Sequence, residues 1–243
     1  MSTLLLKLAG PLQSWGAQSR FPRRDTRHEP TKSAVIGLIA AAQGRRRSDP
    51  IEDLLDLRFA VRIDQPGVLL RDFHTAHNLK GESMPLSERF YLSDAVFIAA
   101  IEADRVVLDG IAGSLLSPAF PLFLGRRSCV PSGKLVLGVV DDDLVTALRQ
   151  HPWEAATWFQ RHKNNRDAAE IQLELIRDGL VGDPPHLARE TVRDRPLSFS
   201  PELRQYGWRD VVHDEHVVVH NPAFVSDQTT APVVGLHDPM ALL

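Results

Sequence analysis

The chain has 243 residues, with 28 lysines and arginines against 31 aspartates and glutamates, and a net charge of −3. Its hydrophobic share of 43% and charged share of 24% are ordinary for a soluble globular protein. They exclude a disordered tail, a collagen-like chain and a coiled coil. The longest apolar stretch, Ala34 to Ala42, is less than half as long as a membrane span. The single cysteine, Cys129, excludes an internal disulfide and fits a reducing cytoplasm. Because it has no cysteine partner and the histidines are scattered, we expect no metal site, and we also expect no cofactor and no membrane contact.

The charges are unevenly distributed along the chain. Residues 1–47 carry nine basic and two acidic side chains, a net +7, whereas residues 48–140 carry −3 and residues 141–243 carry −7. The first segment is therefore the candidate for contact with a polyanion, and the acidic last segment fits a surface that meets protein. A chance segregation that folds back into a mixed surface explains the composition equally well.

The first elements are clear from the apolar pattern. Residues 3–9 predict a buried strand, and residues 11–30 lack periodicity and predict a loop. Thr31 is a candidate N-cap for a helix that runs to Gln43 and ends at Gly44. Because this helix is apolar nearly all round, we expect it to be buried against a sheet.

The following elements complete a recognisable order. Residues 57–64 alternate apolar and polar side chains and predict a half-buried strand, and the polar residues 70–92 predict a projecting hairpin. The remaining elements are a strand over 95–101, a helix over 105–116 and a strand over 134–140. This order is that of the ferredoxin-like split βαβ, an α+β fold whose four-stranded antiparallel sheet carries two helices on one face, as in RNA-recognition domains.

The C-terminal part differs in character, so we divide the chain into a domain over 1–140 and an extension over 141–243. Residues 141–168 predict a helical segment that begins with three aspartates. The rest predicts a smaller, strand-rich extension with extended pieces at 171–176, 197–199 and 217–219.

The loop after the first strand carries the first candidate site, Gln13, Ser14 and Trp15, followed by arginines at positions 20, 23, 24 and 27. An aromatic ring beside amide and hydroxyl groups suits base stacking, and arginines such as Arg20 suit phosphates. The alternative is a solvated loop with Trp15 folded into the core.

The first predicted helix contributes candidates at both ends. Lys32 and Ser33 stand at its N-terminus, where free backbone N–H groups bind phosphate, although the spacing excludes a nucleotide-binding P-loop. Arg45 and Arg46 follow its C-terminal end and complete the basic N-terminal segment. A plain capped helix is the alternative at the N-terminus.

The segment 125–134 is the second basic loop, because no acidic residue lies between Asp109 and Asp141. Gly125 permits a close approach of the backbone to a ligand. Arg126 and Arg127 suit bidentate phosphate contacts, with Ser128 beside them. We favour a nucleic-acid contact here over a solvated turn.

The hairpin segment raises an enzymatic alternative. Arg71 and His74, with Lys80 and Tyr91 nearby, are the residue types that a metal-independent ribonuclease uses as base, acid and phosphate-binding cation. Basic and acidic side chains balance between 71 and 89, and nothing in the sequence fixes their geometry, so a structural role is favoured.

The run His213-Asp214-Glu215-His216 is a candidate metal site by residue type alone. On a strand, however, successive side chains point to opposite faces, so the four cannot converge without a bend. We expect no metal there.

Four blocks of the chain resemble the CasD family, subunits of the Cascade surveillance complex of type I-E CRISPR systems. They are LAGPLQSWG (8–16), PTKSAVIGLIAAAQG (30–44), RDFHTA (71–76) and LGRRSCVPSG (124–133), in the order of the family. The segment DRPLSFSP (194–201) resembles the family more loosely.

The resemblance implies an RNA-recognition-like domain that binds the 5′ handle of CRISPR RNA (crRNA). It implies a thumb hairpin, here about 70–92, that reaches towards the backbone subunits, and contact with the large subunit, with target DNA met only indirectly through the complex. It also implies that the subunit is non-catalytic, since a separate subunit of type I-E systems cuts the precursor RNA. The residues implied to lie at or near the handle include Gln13, Ser14, Trp15, Lys32, Ser33, Arg126, Arg127 and Ser128.

We therefore predict a non-enzymatic, cytoplasmic RNA-binding scaffold within an antiviral ribonucleoprotein complex. Phosphate contacts would set its affinity and base contacts its register. Two alternatives stay open: a metal-independent endoribonuclease that processes CRISPR precursor RNA through His74, Lys80 and Tyr91, and a protein–protein adaptor without RNA contact.

Overall fold

The computed structural model describes residues 1–16, 23–162 and 164–224, and a seven-stranded antiparallel sheet forms its centre. The N-terminal strands of this sheet are β1 (Ser2–Ala9), β4 (Arg58–Gln65), β7 (Val96–Ala103) and β8 (Val136–Val140). The C-terminal ones are β10 (Leu175–Asp178), β11 (Ala188–Ser198) and β12 (Gln205–His213). The spatial order is β11-β12-β10-β4-β7-β1-β8, so the C-terminal strands continue the N-terminal sheet.

Helices cover both faces of the sheet. Side chains at alternate positions of β1, such as Leu4 and Leu6, pack in one core with helices α1 (Lys32–Ala42) and α2 (Arg105–Leu116). Leu5, between them, belongs to a second core with helix α3 (Leu144–Gln150). This division follows from the two-residue period of a strand. That second core also receives β9 (Glu170–Leu173), its partner β13 (Val217–His220), and side chains around the short helix α4 (Thr157–Gln160).

A smaller sheet stands beside the first core. Its long pair is β5 (Val68–His74) with β6 (Ser87–Ser93), an antiparallel hairpin whose connecting residues are largely exposed. The other edge of β6 pairs with two short strands, β2 (Leu12–Gln13) and β3 (Arg23–Arg24). The loop after β1 is therefore tied to the hairpin, which positions the candidate site.

Most predicted elements of residues 1–140 are found within two residues of their expected bounds, and α2 coincides with the expected helix over 105–116. The strand predicted over 57–64 is found as β4, but the prediction that it is half-buried is wrong. Arg62 and Asp64 are 0% and 1% exposed, because the segment around α3 covers the second face of β4. Arg62 pairs with Asp64 and donates to the carbonyls of Leu148, His151 and Pro152.

The C-terminal part departs further from expectation. The helical segment over 141–168 is reduced to α3 and the four-residue α4. Asp143 caps α3 by accepting hydrogen bonds from the backbone N–H groups of Val145 and Thr146. The expected strand over 171–176 is divided between β9 and β10, and β12 was not predicted from the sequence.

Candidate nucleic-acid interface

Two basic segments that are over a hundred residues apart in sequence meet beside β6. The backbone N–H of Ser14 donates to the Leu124 carbonyl at 3.1 Å, and Leu124 N–H donates to the Cys129 carbonyl at 2.7 Å, which closes the second loop on itself. Gly125 has a φ of +92°, and a Cβ there would lie 1.8 Å from the Ser14 carbonyl oxygen. The glycine therefore permits the contact between the two segments, not an approach to a ligand.

The side chain of Arg126 stabilises the contact between the two segments. Its Nη1 donates to the Phe90 carbonyl at 2.9 Å, and its Nη2 donates to the Arg24 carbonyl at 2.7 Å. The guanidinium also lies over the Tyr91 ring, 4.6 Å from the centroid. Two of its five N–H groups and its contact with the ring are thus used inside the protein, so Arg126 acts as a bracket between β3, β6 and the loop. These bonds favour a structural role for Arg126, and its predicted phosphate contact together with Arg127 stays a prediction.

The cationic groups that face solvent here are its neighbours. Arg24 and Arg127 are exposed, and within the described part of the chain neither has an ion-pair partner. Arg23 pairs with Asp25 at 2.9 Å and lies 5.1 Å from the Phe90 ring centroid. We call Arg23, Arg24, Arg126 and Arg127 the arginine cluster. It offers a basic surface backed by aromatic rings, which suits the phosphates of a nucleic acid.

The expected base-stacking group is instead part of the core. Trp15 is 1% exposed and packs edge-on against Phe97, with ring centroids 6.4 Å apart. Gln13 is fully buried, and its Nε2 donates to the carbonyls of Leu8 at 3.2 Å and Ala95 at 2.6 Å. Ser14 is also buried, 3% exposed. Gln13 and Trp15 hold the loop to β1 and the start of β7, so the core alternative is the correct one for Trp15.

The N-terminus of α1 is likewise occupied by the protein itself. The backbone N–H of Lys32 donates to Asp194 Oδ2 at 2.8 Å, and Lys32 Nζ donates to Asp178 Oδ2 at 2.8 Å. Arg209 bridges the same two carboxylates, at 2.7 Å and 2.6 Å. Burial opposes the charge of Arg209, but its bonds to the two carboxylates outweigh this and raise its pKa. The expected phosphate site at Lys32 and Ser33 is therefore filled by internal anions, and both residues are buried.

Of the other predicted site residues, only Ser128 adjoins the arginine cluster in sequence, and the rest lie elsewhere or outside the described residues. Arg45 pairs with Asp53, and Arg46 is exposed, both in the turn after α1. Arg71 pairs with Glu88 and lies 4.5 Å from the Phe73 ring centroid on β5. Ser128 is exposed beside Arg127, and Arg20 lies outside the described residues.

The residues of the enzymatic alternative do not converge. His74 pairs with Ser87 across the hairpin and bonds Asp72 Oδ2 at 2.5 Å, whereas Tyr91 pairs with Leu70, four residues along β6. Four residues of strand correspond to about 13 Å. Tyr91 is 3% exposed under Arg126, and Lys80 is exposed in the connecting loop. No shared centre for acid–base chemistry results.

The acidic run near the end of β12 belongs to an ion-pair network. Asp214 accepts from Arg177 Nε, and Arg177 also pairs with Asp183 at 2.7 Å. His213 Nε2 lies 3.6 Å from Glu190. The described residues contain no group of three or more His, Cys, Asp or Glu side chains able to hold a metal ion. Nor does any helix in the described ranges have the length and apolar character to cross a membrane.

Sequence reasoning missed the aromatic backing of the site. Phe90 and Tyr91 lie under Arg23 and Arg126, but no local sequence pattern indicates that β6 passes beside both basic segments. It also missed Asp178 and Asp194 as the anions at α1, because they are more than 140 residues away from Lys32 in sequence.

Comparison with known proteins assigns the family. Residues 3–212 match the family described as CRISPR-associated protein (Cas_Cas5). The chain is 34% identical over 158 residues to the CRISPR system Cascade subunit CasD of Escherichia coli (strain K12), covering 56% of this chain and 70% of that protein. A solved CRISPR RNA-guided surveillance complex contains a chain 36% identical, with a TM-score of 0.72 over 89% of this chain and 91% of its own. A crystal structure of a Cas protein is also 36% identical, with a TM-score of 0.65 over 91% and 97%. The chain therefore belongs to the Cas5 family of CRISPR-associated proteins.

Proposed function

We propose that this chain is the non-catalytic Cascade subunit of a type I-E CRISPR system, holding the 5′ handle of crRNA and joining neighbouring subunits for antiviral defence. The observation that carries the proposal is its 36% identity and TM-score of 0.72, over 89% of its length, to a chain of an RNA-guided surveillance complex. The partners are then crRNA, the backbone subunits and the large subunit, in the cytoplasm, with target DNA met only indirectly through the complex.

The finer architecture is part of the same proposal. The strand order β4-β7-β1-β8, with α1 and α2 sharing one core, supports a ferredoxin-like domain over 1–140. The β5–β6 hairpin is the candidate thumb, since its exposed apolar residues include Leu79 and Met84 near the turn. Residues 141–243 form the proposed extension.

The arginine cluster is the proposed handle contact. Arg24 and Arg127 are exposed and would bind phosphates, while Arg126 fixes the two segments that carry them. Arg20 and Ser128 remain candidates by position. The buried Gln13 and Trp15 anchor the loop after β1 to the core. The affinity should therefore depend on salt, because phosphate contacts release counterions.

The test uses the purified chain with labelled CRISPR repeat RNA in EDTA, on native and denaturing gels. We expect a shifted, intact RNA, with the shift lost when the handle is scrambled. The double variant Arg24→Ala, Arg127→Ala should weaken binding about thirtyfold, since two phosphate contacts of roughly 1 kcal/mol each amount to about 2 kcal/mol. The matched control is Arg161→Ala, Arg166→Ala, which removes two exposed charges on the α3 side of the sheet.

Each other outcome identifies an alternative. A discrete cut at the handle boundary that persists in EDTA and is lost in His74→Ala would establish the endoribonuclease. If neither the chain nor the co-expressed complex loses RNA affinity in the Arg24/Arg127 variant, the arginine cluster is not the handle contact. If the assembled complex binds handle RNA equally well without this subunit, the chain is an adaptor.

A further inference from the structure

A second aromatic and basic surface lies on β12, away from the arginine cluster. Trp208 is 61% exposed, and Tyr206 is two residues earlier on the same strand. Because side chains alternate between the faces of a strand, Tyr206 and Trp208 share one face. Large aromatic side chains usually bury most of their surface, so a tryptophan with this exposure on a regular strand calls for an explanation.

Two arginines border these rings. The Arg204 guanidinium lies 5.9 Å from the centroid of the Tyr206 ring. Arg193 Nε donates to the Tyr206 carbonyl at 3.1 Å, and the side chain of Arg193 remains exposed. We call Arg193, Arg204, Tyr206 and Trp208 the β12 face.

The register explains why Arg193 lies on this face. Val192 pairs with Arg209 and Arg195 pairs with Gly207, so an irregularity in β11 sets Arg193 and Asp194 opposite Trp208. Asp194 is 1% exposed and bonds Arg209 and the N-terminus of α1. Because successive side chains of a strand point to opposite faces, Arg193 lies on the face opposite to Asp194, which is the face of Trp208.

The β12 face is therefore directed away from α1, whereas Arg209 and Asp194 point towards it. Asp210 follows Trp208 on the same face of β12, and its Oδ1 accepts a hydrogen bond from the Thr191 hydroxyl at 3.1 Å. Glu202 is exposed in the β11–β12 turn, as is Arg195 at the end of β11. The β12 face is therefore basic, and its aromatic rings lie between the two arginines.

We propose that the β12 face binds single-stranded nucleic acid, separately from the handle. Unpaired bases stack on exposed aromatic rings and on guanidinium planes, while arginines neutralise the flanking phosphates. Two aromatic side chains two residues apart on a strand present neighbouring platforms on one surface. Stacking of this kind reads no sequence, so the ligand class is single-stranded RNA or DNA irrespective of sequence.

The experiment uses the full chain in the Arg24→Ala, Arg127→Ala background, so that the arginine cluster contributes little. Labelled oligonucleotides without the handle sequence are supplied as single-stranded RNA, single-stranded DNA and duplex DNA, and binding is followed by anisotropy at several salt concentrations. We expect both single strands to bind better than the duplex. Trp208→Ala should weaken single-strand binding about tenfold, the effect of losing one stacked base, and Trp208→Phe should restore most of it.

Controls separate stacking from general effects. Trp158 is 57% exposed on α4, so Trp158→Ala removes a similarly exposed ring elsewhere and should leave binding unchanged. Arg193→Ala with Arg204→Ala should reduce the slope of log affinity against log salt by about 1.4, as expected for two phosphate contacts on a single strand. A preference for RNA over DNA would assign the ligand to RNA through its 2′-hydroxyl, and the reverse preference would assign it to a DNA strand.

The proposal is overturned if Trp208→Ala binds both single strands as the background does, or if Trp158→Ala weakens binding equally. It is also overturned if Trp208→Ala leaves oligonucleotide binding intact but prevents assembly with the other subunits, because the face would then be a protein interface. Handle affinity of the chain with an intact arginine cluster is measured in parallel. Its loss or retention tests the proposed function independently of the β12 face.

Discussion

A Cβ atom on Gly125 would lie 1.8 Å from the carbonyl oxygen of Ser14, inside the van der Waals contact of any carbon and oxygen. This approach brings together the loop after β1 and the loop before β8, and with them the arginine cluster. The fold of the candidate interface thus depends on a backbone contact that only glycine permits.

We expect Gly125→Ala to destabilise the protein severely, because the new methyl group meets backbone at a residue whose φ is +92°. The matched control is Gly133→Ala, in the same loop, where φ is +74° and nothing lies within 4 Å of the added Cβ. In Gly133→Ala the free energy of unfolding should fall by only about 1–2 kcal/mol, the cost of a left-handed backbone conformation at a residue with a Cβ. Urea unfolding of both variants measures the two losses of stability. Equal losses would contradict the conclusion that the backbone contact with Ser14 requires a glycine at position 125.

Arg126 and Arg127 are adjacent but should behave differently. Arg126→Ala removes two hydrogen bonds to carbonyls and a cation–π contact, so we expect the free energy of unfolding to fall by about 2–3 kcal/mol. Arg126→Lys should not restore it, since an ammonium group lacks the planar fork. Arg127→Ala should change stability by less than about 0.5 kcal/mol and reduce RNA affinity instead. Unfolding and RNA titration of the three variants check this, and a stable Arg126→Ala protein would contradict the bracket role.

The internal cap of α1 predicts that Asp194 is a structural residue. Asp194→Ala removes one of the two carboxylates that pair with the buried Arg209 and the acceptor at the N-terminus of α1. We therefore expect the free energy of unfolding to fall by about 3–5 kcal/mol. Lys32→Met keeps the apolar stem and should lower stability by a smaller amount while leaving the RNA affinity of the folded protein unchanged. A loss of RNA affinity in folded Lys32→Met, measured at low salt, would restore Lys32 as a phosphate ligand.

Asp183 predicts a specific acid sensitivity. Its bond to Arg177, supported by the Leu180 N–H, lowers the pKa of Asp183 from 3.8 to about 2. A carboxylate with a lowered folded pKa stabilises the protein fully above its unfolded pKa, and this contribution disappears as the pH falls from about 4 towards about 2. The wild-type advantage over Asp183→Asn should therefore be constant from pH 7 to 5 and decrease below pH 4, in urea unfolding at fixed ionic strength. An advantage that does not depend on pH would contradict the lowered pKa.

The local pattern of the sequence determined much of the first 140 residues. β1, α1, β7 and α2 follow from short apolar runs bounded by glycine, proline or a polar cap, because such signals act over a few residues. The family resemblance rests on the same local blocks, and the match over residues 3–212 bears it out. The concentration of basic side chains in the N-terminal segment and the 125–134 loop could also be predicted from the sequence, because charge depends on composition alone.

Only the tertiary structure decided which of those residues are available to a ligand. Lys32 and Trp15 have the residue types of a binding site, but Asp194, 162 residues after Lys32, fills the helix terminus, and Phe97 packs on the ring. The burial of Arg62 likewise depends on α3 crossing the second face of β4. A local sequence pattern indicates which side of a segment is buried and which is exposed. It does not indicate which distant segment covers a particular side chain. The exposed cations at Arg24 and Arg127 and the exposed ring of Trp208 are the groups that those distant segments leave uncovered.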